Sequence, residues 1–163
     1  MGDDARKTRV LFLCTGNACR SQMAEAMLRH LAGGRFEALS AGSNPAGFVH
    51  PLALEALERL GISAEGLRSK SWHEFADREV DVVITLCDNA ASTPCPIWPG
   101  SPIQVHWPLP DPSFHAGTPE ERLEFAVSVA EQLRRKLLAM IALPFERGLT
   151  PELRESLAAL ANV

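Results

Sequence analysis

A chain of 163 residues is long enough for one domain with a substantial buried core. Its 46% hydrophobic and 22% charged content is that of a globular protein, which excludes a disordered or low-complexity chain. A net charge of −4 leaves no basic stripe to neutralise phosphates, so no nucleic acid is expected as a partner. No apolar run approaches the ~20 residues of a membrane span, so no membrane partner is expected either. The opening stretch Met1-Gly2-Asp3-Asp4-Ala5-Arg6-Lys7 is polar and lacks the apolar core of a signal peptide. A cytoplasmic location is therefore expected, with the four cysteines held as thiols.

An apolar run at 9–13 ends at Cys14, and an amphipathic helical pattern over about 18–32 follows, with Met23, Met27, Leu28 and Leu31 on one face. Between the two lies Cys14-Thr15-Gly16-Asn17-Ala18-Cys19-Arg20-Ser21. The residues between Cys14 and Arg20 are small enough to curl around a tetrahedral anion, with their N–H groups directed inward as a nest. The helix that begins there adds further donors and the positive end of its dipole. Arg20 supplies a planar, two-pronged clamp, and the combined positive field favours a thiolate at Cys14 over a thiol. The pattern predicts a nucleophile inside an oxyanion-binding loop, formed by Thr15, Gly16, Asn17, Ala18, Cys19, Arg20 and Ser21. Asn17 has a second expected task, holding the strained backbone of that loop.

Further along, Phe36-Glu37-Ala38-Leu39-Ser40 reads as a strand ending at Ala41-Gly42. A helix over roughly Pro51 to Leu60 follows, stopped by Gly61. Asp81-Val82-Val83-Ile84-Thr85-Leu86 has the near-continuous apolar character of a central parallel strand, and Ile103-Gln104-Val105-His106-Trp107 reads as the last strand. Thr118-Pro119-Glu120-Glu121 is a capping box that opens a helix to about Leu143, ended by Pro144. A second cap, Thr150-Pro151-Glu152, starts a short helix to about Ala161. The alternation predicts a three-layer α/β fold: an open sheet of about four parallel strands flanked by helices, with an extra C-terminal helix. Residues 8–143 are expected to form the domain and 144–163 a helical extension of it. Ligands of such sheets sit beyond the C-terminal strand ends, and Cys14, Cys87 and Asp111 all fall just after predicted strands.

Cys87 and Cys95 are eight residues apart, in a stretch containing Asn89, Ser92, Thr93, Pro94 and Pro96. Neither spacing nor neighbours suit a metal site, and no metal or cofactor is expected. Were 88–95 helical, the two Cα atoms would be ~12 Å apart, beyond the about 7 Å a disulfide tolerates. A bond between them would then require the segment to unwind, and these residues make a poor helix. Two unrelated buried thiols would have the same spacing. With Cys14, the two thiols can support a relay of thiolate–disulfide exchange that carries oxidation from a deep site to an accessible one. Asp111 lies in the proline-bracketed run Trp107-Pro108-Leu109-Pro110-Asp111-Pro112, where a carboxyl can protonate a leaving oxygen, although Asp-Pro is also common in plain turns.

Together these motifs resemble the arsenate reductases built on the low-molecular-weight tyrosine phosphatase fold, in their thioredoxin-coupled branch. The resemblance covers about residues 8–140. It rests on Val-Leu-Phe-Leu-Cys-Thr-Gly-Asn-Ala-Cys-Arg-Ser-Gln-Met-Ala-Glu at 10–25, Ser40-Ala41-Gly42, Val83-Ile84-Thr85-Leu86-Cys87-Asp88, Cys95-Pro96-Ile97, His106-Trp107 and Asp111-Pro112. It implies arsenate as substrate and thioredoxin as reductant. Cys14 would be the nucleophile, with Arg20 and the loop amides as clamp, Ser21 tuning the thiolate and Asp111 as general acid. Cys87 would attack the Cys14–arsenic adduct, giving a Cys14–Cys87 disulfide that Cys95 resolves to Cys87–Cys95.

Some members of that family place potassium near the loop on Asn, Glu, Ser and Asp. Asn17, Glu25 and Ser40 match, but the aspartate position falls at Ser71 beside Lys70, so no cation site is predicted here. The alternative function is a low-molecular-weight protein tyrosine phosphatase using Cys14, Arg20 and Asp111 alone. It leaves Cys87 and Cys95 idle, and only Phe114, in Ser113-Phe114-His115, is available to hold an aromatic ring. Cys19 is expected to pack under the loop.

Overall fold

A computed structural model describes residues 7–87 and 98–163. In chain order the elements are β1 (Thr8–Cys14), α1 (Arg20–Ala32), β2 (Phe36–Gly42), α2 (Pro51–Arg59), β3 (Val82–Thr85), β4 (Ile103–His106), α3 (Pro119–Ile141) and α4 (Pro151–Ala159). Short 3-10 turns occupy Trp72–Phe75, Pro112–Phe114, Phe145–Arg147 and Leu160–Asn162. All strand pairs are parallel, in the order β2-β1-β3-β4.

β1 is central because every residue from Val10 to Leu13 is apolar, so neither face needs water. Val10 and Phe12 join the larger core with Met23, Met27, Leu57 and Leu133 from the helices. Leu11 and Leu13 point the other way, against Trp72, Phe75 and Trp98. The alternation of side chains along a strand thus makes one apolar run serve both cores.

The expected elements form in the expected order, with small shifts at their ends. β2 runs two residues beyond its apolar stretch because Ala41 and Gly42 pair with Leu13 and Cys14. The Thr118 capping box forms in full, with Thr118 Oγ1 accepting from the Glu121 N–H and the Glu121 carboxylate accepting from the Thr118 N–H.

α4 packs over the end of β4 and contributes Leu153 and Leu157, with Leu160 from the turn that follows, to the same core that buries Trp107. Two buried side chains fasten it and the turn that follows. The Trp107 indole N–H donates to the Leu157 carbonyl at 2.9 Å. The buried Lys136 ammonium donates to the carbonyls of Leu160, Ala161 and Val163. Burial pulls the Lys136 pKa down, so those three carbonyls are what keep a charge tolerable there.

Strand pairing then sets where the chemistry sits. Cys14 is the last residue of β1. The Leu86 N–H bonds the Leu13 carbonyl and the Leu109 N–H bonds the Leu86 carbonyl, so the ladder continues past β3 and β4. Cys87 and the segment leading to Asp111 are thereby carried to the same edge of the sheet as Cys14.

Trp107→Phe removes one buried donor and leaves the Leu157 carbonyl only its bond from the Leu160 N–H. It is expected to cost about 1–3 kcal/mol in urea unfolding followed by circular dichroism.

Candidate functional site

The Cys14–Arg20 loop is shaped by what its carbonyls bind. The carbonyl of Thr15 accepts from Asn44 N–H, that of Gly16 from Ala46 N–H and that of Ala18 from His50 N–H. The Asn17 carbonyl accepts from Gln22 Nε2 at 2.9 Å. A planar trans peptide points its N–H opposite its C=O. Four successive carbonyls bound to surrounding protein donors therefore turn the N–H groups of Gly16, Asn17, Ala18 and Cys19 the other way, into the loop. α1 starts at Arg20 with no side-chain cap and no acidic residue in its first turn, so nothing on the helix competes with an anion for its N-terminus.

Turning the chain this tightly requires Asn17 to adopt φ 46°, in the left-handed region. Its side chain is fully buried and satisfied at every atom. Asn17 Oδ1 accepts from the Lys70 main-chain N–H at 2.9 Å. Asn17 Nδ2 donates to Ser21 Oγ at 2.7 Å and to Ser40 Oγ at 3.0 Å. Ser21 Oγ in turn lies 3.0 Å from Cys14 Sγ. Below them, Ser40 donates to Glu25 Oε1 at 2.6 Å, and Glu25 is also paired with Arg29.

Gly42 is required by contact: a Cβ there would meet the Thr15 carbonyl oxygen at 2.5 Å and that of Cys14 at 2.9 Å. Lys70 closes the underside. Its ammonium donates to Glu25 Oε1 and Ser40 Oγ, each at 3.3 Å, so it sits on two of the side chains whose pattern resembled a cation site. Among the described residues no group of three or more His, Cys, Asp or Glu side chains is arranged to hold a metal ion. Nor is any described helix long and apolar enough to cross a membrane.

Arg20 comes over the loop from α1. Its Nη1 donates to the Leu109 carbonyl at 2.9 Å and its Nη2 to Asp111 Oδ2 at 3.2 Å. Its Nε is buried without a partner among the described residues. That orphaned donor, beside a ring of inward N–H groups, matches an anionic ligand, since a buried unpaired donor is costly otherwise. Asp111 is pinned on its other oxygen, Oδ1, by the N–H and hydroxyl of Ser113 at 3.0 and 2.7 Å.

Cys87 reaches the same place. Its Sγ lies 3.3 Å from Thr15 Oγ1, one residue from Cys14. A cavity of about 530 Å³ is lined by Thr15, Gly16, Ala18, Arg20, Cys87 and Asp111, with Phe48 and Phe114 on its rim. These two rings are 53% and 86% exposed. Cys19, by contrast, is buried under the loop, and that burial, reinforced by Asp111 and Cys14, pushes its pKa up to about 12. It remains a neutral thiol at physiological pH. Cys95 lies outside the described residues, as does the 88–95 segment whose unwinding the spacing suggested.

Thus Cys14, Arg20, Cys87 and Asp111 converge, and Thr15 to Ser21 form the loop around them. Residue patterns had not pointed to the Thr15–Cys87 contact, to the Leu109 carbonyl under Arg20, or to Gln22 as a brace. His106 Nδ1 lies 2.7 Å from the Thr85 hydroxyl and 3.1 Å from its carbonyl.

A parallel sheet whose central strand ends in a cysteine, under a loop of inward amides and an arginine, has the geometry to receive a tetrahedral oxyanion against a thiol. Residues 9–144 match the family described as low molecular weight phosphotyrosine protein phosphatase, and the chain belongs to that family. An arsenate reductase of Halalkalibacterium halodurans is 35% identical over 131 residues, which are 80% of this chain and 93% of that one. The solved structure of an arsenate reductase in the phosphate binding state superposes with a TM-score of 0.67 at 33% identity, covering 83% of this chain and 97% of the other. A thioredoxin-dependent arsenate reductase of Corynebacterium glutamicum gives a TM-score of 0.60 at 32% identity, covering 83% and 64% respectively.

Gly42→Ala is expected to displace the loop backbone and weaken phosphate binding at least about tenfold by calorimetry, with the far-ultraviolet spectrum unchanged. Cys19→Ser should bind phosphate as the wild type does; a loss matching Cys14→Ser would give Cys19 a role in the site.

Proposed function

We propose that this protein reduces arsenate to arsenite through a three-cysteine relay, in a reducing cytoplasm, with thioredoxin as the external reductant. The observation that carries the reading is the second thiol: Cys87 stands at the rim of the oxyanion loop, against Thr15, where a phosphatase has no use for it.

Arsenate fits the loop as a tetrahedral dianion, held by the inward N–H groups, the α1 N-terminus and the Arg20 guanidinium. The Cys14 thiolate attacks arsenic and forms an S–As(V) bond; one arsenate oxygen leaves as water, with its proton supplied by Asp111. The Cys87 thiolate then attacks Cys14 Sγ. A Cys14–Cys87 disulfide forms, the S–As bond breaks, and its electron pair stays with arsenic, which departs as As(III) arsenite. Two thiolates have supplied the two electrons. Cys95 attacks Cys87 and releases Cys14 as a thiolate, leaving Cys87–Cys95 for a dithiol such as thioredoxin. Ser21 holds the Cys14 thiolate between turnovers, and Thr15 holds Cys87 beside it. Thioredoxin is the reductant favoured because a relay ending in a protein disulfide needs a dithiol to open it. The likeness to the thioredoxin-dependent enzyme of C. glutamicum supports the same choice.

One observation favours a side activity of the phosphatase type. The cavity is far larger than an inorganic oxyanion, and Phe48 and Phe114 border it with exposed rings that suit an aryl substituent.

The test is NADPH consumption with arsenate, thioredoxin and thioredoxin reductase. The wild type is expected to turn over continuously and Cys14→Ser not at all. Cys95→Ala should release about one arsenite per protein and then stop. A wild type silent in this assay that hydrolyses an aryl phosphate efficiently would instead be a phosphatase with spare thiols. Trp98, buried against Leu11 and Leu13 and three residues from Cys95, should report the Cys87–Cys95 disulfide as a change in fluorescence.

A further inference from the structure

The network under the loop contains a charge that neither the fold nor the relay requires. Lys70 is buried together with Glu25, with 7% and 6% of their side chains exposed. Its three ammonium protons meet three acceptors: Glu25 Oε1, Ser40 Oγ and, at 2.8 Å, the Arg68 carbonyl. Burial draws its pKa down while Glu25 draws it up, so the charge survives there because of that partner. Besides Glu25, Arg68, Glu74 and Arg29 carry the charges nearest this pair.

The hydrogen-bond directions follow from Lys70 outward. Its main-chain N–H donates to Asn17 Oδ1, which fixes the flip of the amide and aims both Nδ2 protons at serines. Ser40 accepts from Asn17 and from the Lys70 ammonium, so both its lone pairs are taken and its own proton goes to Glu25. Ser21 accepts from the other Asn17 proton, and its hydroxyl is left to donate to Cys14 Sγ. The Ser21 proton is not taken by Asn17 or Ser40, so it is available to a Cys14 thiolate 3.0 Å away. The order of donors therefore suits a thiolate at Cys14.

We infer that Lys70 is a positioning residue for the nucleophile: by main chain and ammonium together it orients Asn17, so that Ser21 donates to Cys14 and the loop carries a built-in cation beneath it. The inference rests on Cys14 being the reactive thiol, but not on arsenate being the substrate. The groups around Cys14 are Ser21, Arg20, Cys19, Cys87 and Asp111. The Lys70 ammonium touches none of them, so a substitution there reaches the sulfur only through Ser40, Asn17 and Ser21.

The experiment is alkylation of the reduced protein by iodoacetamide across pH, with Cys14 followed by peptide mass spectrometry. It uses no arsenate and no thioredoxin, so its failure is separable from failure of the reductase reading. Lys70→Met keeps the aliphatic stem and removes the charge. Cys14 alkylation at neutral pH is expected to fall about tenfold, with the pH profile displaced upward. Lys136→Met removes the other buried ammonium, away from the loop, and should lower stability while leaving the Cys14 profile in place. A Lys70→Met profile that superposes on the wild type, or one that Lys136→Met reproduces, overturns the assignment. Should Lys70→Met not fold, Ser40→Ala cuts the ammonium from Asn17 while sparing the Lys70–Glu25 pair. Its profile should move the same way, and an unmoved one equally overturns the assignment.

Discussion

The site depends on the amide of one side chain. Asn17 sits where the loop must bend through a left-handed conformation, which costs of order 1–3 kcal/mol for a residue other than glycine. Three hydrogen bonds from a fully buried amide hold that conformation, and each lands on a different part of the chain: the Lys70 main chain, Ser21 on α1 and Ser40 on β2. The bend turns the carbonyls out and the N–H groups in. The surrounding bonds over-determine that backbone, and the inward ring of donors they create offers an anion a place to bind.

The sheet solves a second problem, bringing distant residues to one edge without a long loop. Parallel strands all point the same way, so their C-terminal ends share an edge, and the register places Cys14 opposite Gly42 and Leu13 opposite Thr85. Gly42 has no side chain because the loop carbonyls occupy the space where one would go. The edge strand β4 is covered by α4, whose Leu157 carbonyl takes the Trp107 indole N–H four residues before Asp111. The segment beyond the family match therefore buttresses the strand that carries the proposed acid, an arrangement that ties its packing to the site.

Charge is distributed in layers around the proposed nucleophile. Above it, Arg20 is shared between Asp111, the Leu109 carbonyl and whatever anion enters, so the clamp and the acid are coupled through one guanidinium. Beneath it, the Lys70–Glu25 pair is closed off from water and communicates with the sulfur only through hydroxyls and the Asn17 amide. Cys19 lies under the same loop and stays protonated, because burial, reinforced by Asp111 and Cys14, favours the neutral thiol.

The sequence by itself determined the alternation of strands and helices, the parallel sheet, the loop from Cys14 to Ser21 and the capping box at Thr118. Each is written in local pattern: an apolar run buried on both faces, a change of period, a proline after a cap. It also placed Cys14, Cys87 and Asp111 at strand ends, because topology alone sends those ends to one side. Only the tertiary structure decided what Lys70 does. Nothing in Arg68-Ser69-Lys70-Ser71 distinguishes a solvated lysine from one whose ammonium is locked between Glu25 and Ser40, residues 45 and 30 positions away. The same is true of Thr15 against Cys87 and of the Leu109 carbonyl beneath Arg20. Such contacts are made between segments far apart in the chain, and their partners are chosen by packing, which leaves no periodicity or spacing in the sequence to read.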